Sequence, residues 1–255
     1  MVCLTEETVE TLYLIGEEDR IVGVSGFVVR PPEARRKPKV STFTDAKIDE
    51  ILALKPDLVF TFSDIQADIT ANLMRAGLEV HAFNHRTVVG ILAMIRTVGA
   101  LISEPGKAEA LANKLQANID AARENAKSLS ARPRVYFEEW DEPMISAIGW
   151  VSELIEIAGG ENIFADRAFG QAAKDRFVTS DEVITAAPDI IIGSWCGKGF
   201  KKEQVAARPG WDEIPAVKNG ALFEIKSAII LQPGPAALSD GLVEIQRIQM
   251  QVLPT

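Results

Sequence analysis

The sequence predicts an α/β chain of two similar lobes with parallel sheets, joined by one long helix. Three observations predict it. Residues Asp49 to Phe60 and Asp181 to Ile192 align without a gap, offset by 132 residues. Each copy reads as a helix end, a Pro-Asp turn (Pro56-Asp57, Pro188-Asp189) and a wholly apolar run, the pattern of a parallel strand covered on both faces. Between the copies, apolar residues recur every three or four positions from Leu111 to Leu129, with charged residues filling the rest. That is one amphipathic helix. Finally, 255 residues suffice for two compact lobes of roughly 100 residues each.

The elements follow in order. A helix begins at Thr5-Glu6-Glu7 and carries Leu12, Leu14 and Ile15 before Gly16 ends it. Ile21 to Val24 is a strand with Ser25-Gly26-Phe27 as its exit loop. Ala46 to Leu54 and Leu58 to Phe62 are the first repeat's helix and strand. Ala67 to Ala76 is a helix closed by Gly77, Val80 to Phe83 a strand, and Asn84 to Thr87 leads into a helix over Val88 to Leu101. The amphipathic helix runs from Ser103, its expected N-cap, to Ser130, and Pro133 stops it. Then come a strand at Arg134 to Glu138, a loop at Trp140 to Pro143, and a helix at Trp150 to Ala158. The second repeat copy exits through Gly193 to Gly197; Lys218-Asn219-Gly220 turns into a strand at Ala221 to Ile225, and Ala237 to Val252 is a helix. The organisation is 1–102, a first lobe; 103–131, the connecting helix; and 132–255, a second lobe.

Composition narrows the function. A net charge of −9 argues against nucleic acid, which needs a basic stripe to neutralise phosphate. The one basic cluster, Arg30, Arg35, Arg36, Lys37 and Lys39, reads as a solvated loop or as an anion-attracting rim. Cys3 and Cys196 lack the spacing of zinc or redox motifs, so no metal site and no cofactor are expected. No apolar stretch approaches the ~18 residues of a membrane span. No leader precedes Cys3; the expectation is a periplasmic or other extracytoplasmic protein if a leader has been removed, and a cytoplasmic one if Met1 is the native start. Phosphate-cradling glycine loops and a GxSxG nucleophile elbow are both missing.

Several segments together resemble one family. They are Cys3 to Leu12, Gly16, Asp19 to Val24, both repeat copies, Leu154 to Asn162, and Trp211 to Gly220. In this order and spacing, covering nearly the whole chain, they resemble the cobalamin- or siderophore-type substrate-binding proteins of ABC importers. The resemblance implies two Rossmann-like lobes joined by one rigid helix, with a bulky ligand, a corrinoid or another metal chelate such as a ferric siderophore, held between them by strand-end loops. It also implies an ABC permease as partner; the residues themselves point to no catalysis and suggest no extensive apolar interface, so a monomer is expected. The chain departs from the family pattern at Glu6-Glu7, where a Pro-Ser pair is usual, and at Phe62, where the cobalamin binder has tryptophan.

The candidate ligand residues are Phe27, Phe62, His85, Arg86, Trp140, Trp150 and Trp195. Large flat side chains lose little entropy on binding and suit the face of a macrocycle, and all four tryptophans fall in the second lobe. Trp150 suits packing as well as it suits binding, whereas Trp211 reads as a packing residue. His85 reads as a ligand contact, a metal ligand, a general base or a plain loop residue. By the resemblance, the carboxylates docking on permease arginines are Asp68 in the first lobe and Glu213 or Asp212 in the second. Two rival readings remain: a chelatase-like tetrapyrrole enzyme, with Glu6, Glu7, His85 and Asp141 around a metal, and a cytoplasmic sensor or carrier of the same fold.

Overall fold

A computed structural model describes residues 1–252 and divides them into two compact units, Met1–His85 with Val89–Lys114, and Arg86–Val88 with Leu115 onward. The first unit holds β1 (Val2–Cys3), α1 (Glu6–Leu14), β2 (Gly23–Ser25), β3 (Lys39–Ser41), α2 (Ile48–Ala53), β4 (Val59–Phe62), α3 (Ala67–Arg75), β5 (Val80–Phe83) and nearly all of α4 (Val88–Leu101). Its five strands are all parallel, in the order β3-β2-β1-β4-β5. The middle strands β2, β1 and β4 are buried along their whole length, so both faces are covered, and on one of them Val2, Leu4, Val40, Ile51, Val59, Ile69 and Leu73 form a buried cluster.

After α5 (Pro105–Ala126), within which the division between the units falls, come β6 (Arg134–Asp141), β7 (Met144–Ser146), α6 (Gly149–Ile157), β8 (Glu161–Asn162), α7 (Ser180–Ala186) and β9 (Ile190–Gly193). The chain ends with α8 (Lys202–Ala206), α9 (Pro215–Lys218), β10 (Leu222–Glu224), α10 (Ser227–Ile230) and α11 (Leu242–Val252), the last preceded by a π-helical turn at Ala237–Gly241. Strands β10, β9 and β6 are parallel neighbours. The far side of β6 is shared: β8 pairs in parallel with its first residues and β7 antiparallel with its last. The expected Trp140–Pro143 loop is therefore corrected, since Trp140 and Asp141 still belong to β6 and Met144 opens its hairpin partner.

The sequence repeat occupies the same place in each sheet. Strand β4 lies between β1 and β5, and β9 between β6 and β10. The likeness extends to single backbone angles. Lys55 and Ala187, equivalent in the two copies, both leave their helix with a left-handed φ, 47° and 44°. A side chain there costs roughly 1–2 kcal/mol, and the proline that follows each disfavours further helix.

Ser103 is not a helix start. Its φ is 63°, its N–H donates to the Ala100 carbonyl at 3.2 Å, and the Glu104 N–H donates to Gly99 at 2.8 Å. That is a Schellman closure of α4, so Ser103 ends one helix and the next begins at Pro105. Helix α5 has 22 residues, about 33 Å of rise. Among the described residues no helix is long and apolar enough to cross a membrane.

Candidate functional site

In parallel α/β sheets, ligands bind beyond the carboxyl ends of the strands, where loops rather than side-chain layers form the surface. Each unit has such an edge.

In the first unit this edge is apolar at its tips. Phe27 and Val29 follow β2, Phe43 follows β3, and Ile65 follows β4; all are exposed, Phe27 at 62%. Phe62, in contrast, is buried at the end of β4, with the His85 ring edge-on at 5.2 Å. Beneath the edge sit two buried carboxyls in the first turn of α1. Glu6 Oε1 accepts the Val29 N–H, and burial pushes the Glu6 pKa up to about 7. Glu7, 1% exposed, accepts the Thr5 hydroxyl through one oxygen while the other has no hydrogen-bond partner among the described residues; burial raises it also to about 7. The basic segment is a short 3-10 helix at Pro32–Arg36, with Arg30 paired to Glu10 at 3.0 Å and Lys37 donating to the Glu18 carbonyl.

The second unit presents aromatic and charged groups around the end of β6. The β6–β7 register slips between Glu138 and Trp140, leaving Glu139 as the extra residue of a bulge, a device that re-aims side chains. Glu138 is fully buried and saturated. Its oxygens accept from Arg208 at 2.6 and 2.9 Å, from the Tyr136 hydroxyl at 3.1 Å and from the Trp195 indole N–H at 3.1 Å. Burial opposes the charge on Arg208, but its hydrogen bonds to Glu138 outweigh that and raise its pKa. Tyr136 is pushed well above its ordinary value by burial and stays a neutral donor. Glu139 takes a second two-pronged arginine, Arg176, at 2.5 and 3.0 Å. Such bidentate pairs fix geometry as well as charge.

Trp140 is half-buried, its indole N–H donating to the Glu142 carbonyl at 2.9 Å. Lys198 Nζ lies 4.0 Å from the Trp140 ring centroid and 5.0 Å from that of Trp195, and pairs with Asp141 at 2.5 Å. Trp195 is 4% exposed and packs with Phe200 and Trp211 in the core cluster. Trp150 is 2% exposed, its N–H satisfied by the Ile230 carbonyl at 2.8 Å, a packing arrangement. Arg86 falls in this unit, with its carbonyl 2.3 Å from where a Cβ on Gly149 would stand, which is why α6 opens on glycine. The exposed Cys196 sits between Trp195 and Lys198, whereas Cys3 is fully buried with its thiol pushed up to about 12 by burial.

Asp68, in the first turn of α3, and Asp212 and Glu213, on the turn after Trp211, are exposed; Glu213 pairs with Lys218 at 2.5 Å. Among the described residues, no three His, Cys, Asp or Glu side chains are grouped as a metal site needs, so Glu6, Glu7, His85 and Asp141 do not form one. Sequence reading missed Phe43 and Ile65, whose signal was an apolar residue inside a turn-rich loop. It also missed Glu138, Glu139, Arg176, Lys198 and Arg208, whose pairing spans 37 to 70 residues of chain.

Residues 1–229 match the family described as periplasmic binding proteins. The chain belongs to that family. As a periplasmic binding protein it is similar to the vitamin B12-binding protein of Vibrio parahaemolyticus, 26% identical over 249 residues, which are 96% of this chain and 87% of that one. It is equally similar to an ABC transporter substrate-binding lipoprotein of Bacillus subtilis, 26% identical over 254 residues, 96% and 78% of the two chains. Among solved structures, a periplasmic heme-binding protein of Roseiflexus sp. RS-1 in apo form has the same fold, with a TM-score of 0.81 over 97% of each chain at 24% identity.

Proposed function

We propose that this chain is the substrate-binding component of an ABC importer and captures a bulky, flat metal chelate, a corrinoid or a haem, outside the cytoplasm. The observation that carries the reading is the family membership over most of the chain combined with aromatic and apolar side chains at the strand-exit edge of each unit. Two relatives are named for vitamin B12 and for heme, both planar macrocycles around a metal. Trp140 supplies the stacking face, Phe27, Phe43 and Ile65 supply apolar contact, and His85 and Arg86 supply polar contacts. Trp195 and Trp150 act from beneath, as supports.

Capture needs no covalent step. The protein offers area and a few fixed polar groups, and the cargo brings its own metal. Asp68, Asp212 and Glu213 dock on permease arginines; reversing their charge lowers transport and leaves ligand affinity unchanged.

Tryptophan fluorescence tests the reading, by titration with cobalamin, cobinamide, haem and ferric hydroxamates with the optical filter effect of each ligand controlled. The expected result is saturable quenching at one equivalent by a macrocycle, weakened by about 2 kcal/mol or more in Trp140→Ala. Quenching by none of them sinks the proposal. Conversion of a metal-free macrocycle with turnover replaces it by the chelatase reading.

A further inference from the structure

Trp140 is the tryptophan of this chain best placed to receive a flat ligand, and its ring face is already taken. Trp150, Trp195 and Trp211 are 2%, 4% and 0% exposed; only Trp140 is half-buried. The Lys198 ammonium stands over its ring, 4.0 Å from the centroid, and reaches Trp195 at 5.0 Å as well. The loop leaving β9 accounts for this. Gly197 adopts φ 77°, and the Lys198 N–H turns back toward the Trp195 carbonyl, so the chain reverses and brings Lys198 over the aromatic pair. Asp141, the last residue of β6, anchors the ammonium at 2.5 Å. The side chain remains 39% exposed and has four flexible carbons, so it is free to swing aside while keeping its salt bridge.

We infer that Lys198 is a built-in, displaceable occupant of the Trp140 face: it covers the ring in the unliganded protein and is moved off by the incoming ligand, so that it tunes affinity and selects among flat ligands. The inference rests on the capture role proposed above. An ammonium over an aromatic face is held by the ring's quadrupole, and a ligand must replace that attraction before it gains its own. A ligand with only neutral groups at its rim pays this displacement in full. One with peripheral carboxylates offers the displaced ammonium a new partner, so Lys198 favours anionic planar chelates over amide-fringed ones.

Three measurements test it with Lys198→Ala, a substitution at an exposed position. In the unliganded protein, acrylamide quenching reports mainly Trp140, since the other indoles are buried; quenching rises in Lys198→Ala, and by less in Asp141→Asn, which loosens the anchor. Unchanged quenching in Lys198→Ala means the ring is not covered and overturns the inference. Titration then separates the ligands: Lys198→Ala tightens binding of cyanocobalamin, whose rim is amide, by roughly threefold to tenfold, and weakens binding of haem, whose rim carries carboxylates. A change of the same sign for both ligands overturns the selection. Increased quenching together with no binding of either ligand by wild-type protein overturns both the displacement and the capture role, whereas binding that ignores the substitution overturns displacement alone.

Discussion

The two units bury carboxylates at the same kind of place, near the end of the first long-range strand of each sheet, and neutralise them in opposite ways. In the first unit Glu6 and Glu7 follow β1 with no arginine among the described residues bonded to either, and burial raises both to about 7. In the second unit the fully buried Glu138 and its partly exposed neighbour Glu139 lie on β6, and each receives a bidentate arginine. The lesson is that one topology tolerates buried acid either by raising its pKa or by importing a counter-charge, and the choice fixes which substitution each site tolerates.

The largest expected effect comes from removing a counter-charge. Arg208→Met leaves Glu138, fully buried, with no cation, and is expected to cost about 3–5 kcal/mol. Chemical denaturation measures this, and the double variant with Glu138→Gln recovers most of the loss because the stranded charge is gone. Equal losses in the single and double variants would show that the arginine acts through packing on Trp211, over whose ring it lies at 4.6 Å.

The buried acids of the first unit give it a pH response of its own. A carboxyl raised to about 7 on folding binds more protons in the native than in the unfolded state between its ordinary range and that value. Stability is therefore full at and below the ordinary carboxylate pKa and is lost as pH rises toward 7. For Glu7 the loss is on the order of 3 kcal/mol. Glu7→Gln should flatten the pH 5 to 8 stability profile measured by urea unfolding; a variant profile parallel to wild type would mean Glu7 is ionised throughout.

The smallest effect compares the repeat helices. Thr179 caps α7, accepting the Glu182 N–H at 3.3 Å while the Glu182 carboxylate accepts the Thr179 N–H at 2.8 Å. The equivalent position before α2 is Lys47, which makes no cap. Thr179→Ala should cost about 1 kcal/mol, and Lys47→Thr should gain about half that, since its N–H is already bonded to Val40. Thermal melting of the two variants sharpens the comparison, and opposite signs are expected.

Much of the scaffold was legible because it is written locally. Strand β5 and helix α4 occur over Val80–Phe83 and Val88–Leu101 as the periodicity predicts, and both repeat strands fall where apolar runs follow Pro-Asp. What failed needed distant partners. Nothing near β6 in sequence announces that Glu138 is met by Arg208, or that the slip at Glu139 lets Trp140 stay on a strand. Ser103 misled because a serine before a helix suits an N-cap, while its backbone serves the helix before it. The tryptophans were noticed as a group, but their division into one half-buried ring and three buried ones depends on the packed core.

The two cysteines differ enough to be chemically sorted. Cys3 is sealed in the first unit with its thiol pushed to about 12, so it offers almost no thiolate at neutral pH, while Cys196 is exposed on the loop that carries Lys198. A maleimide dye added to the native protein will therefore mark one atom per molecule, two residues from Lys198. Without any engineering, this chain supplies its own attachment point for an optical sensor of whatever it captures.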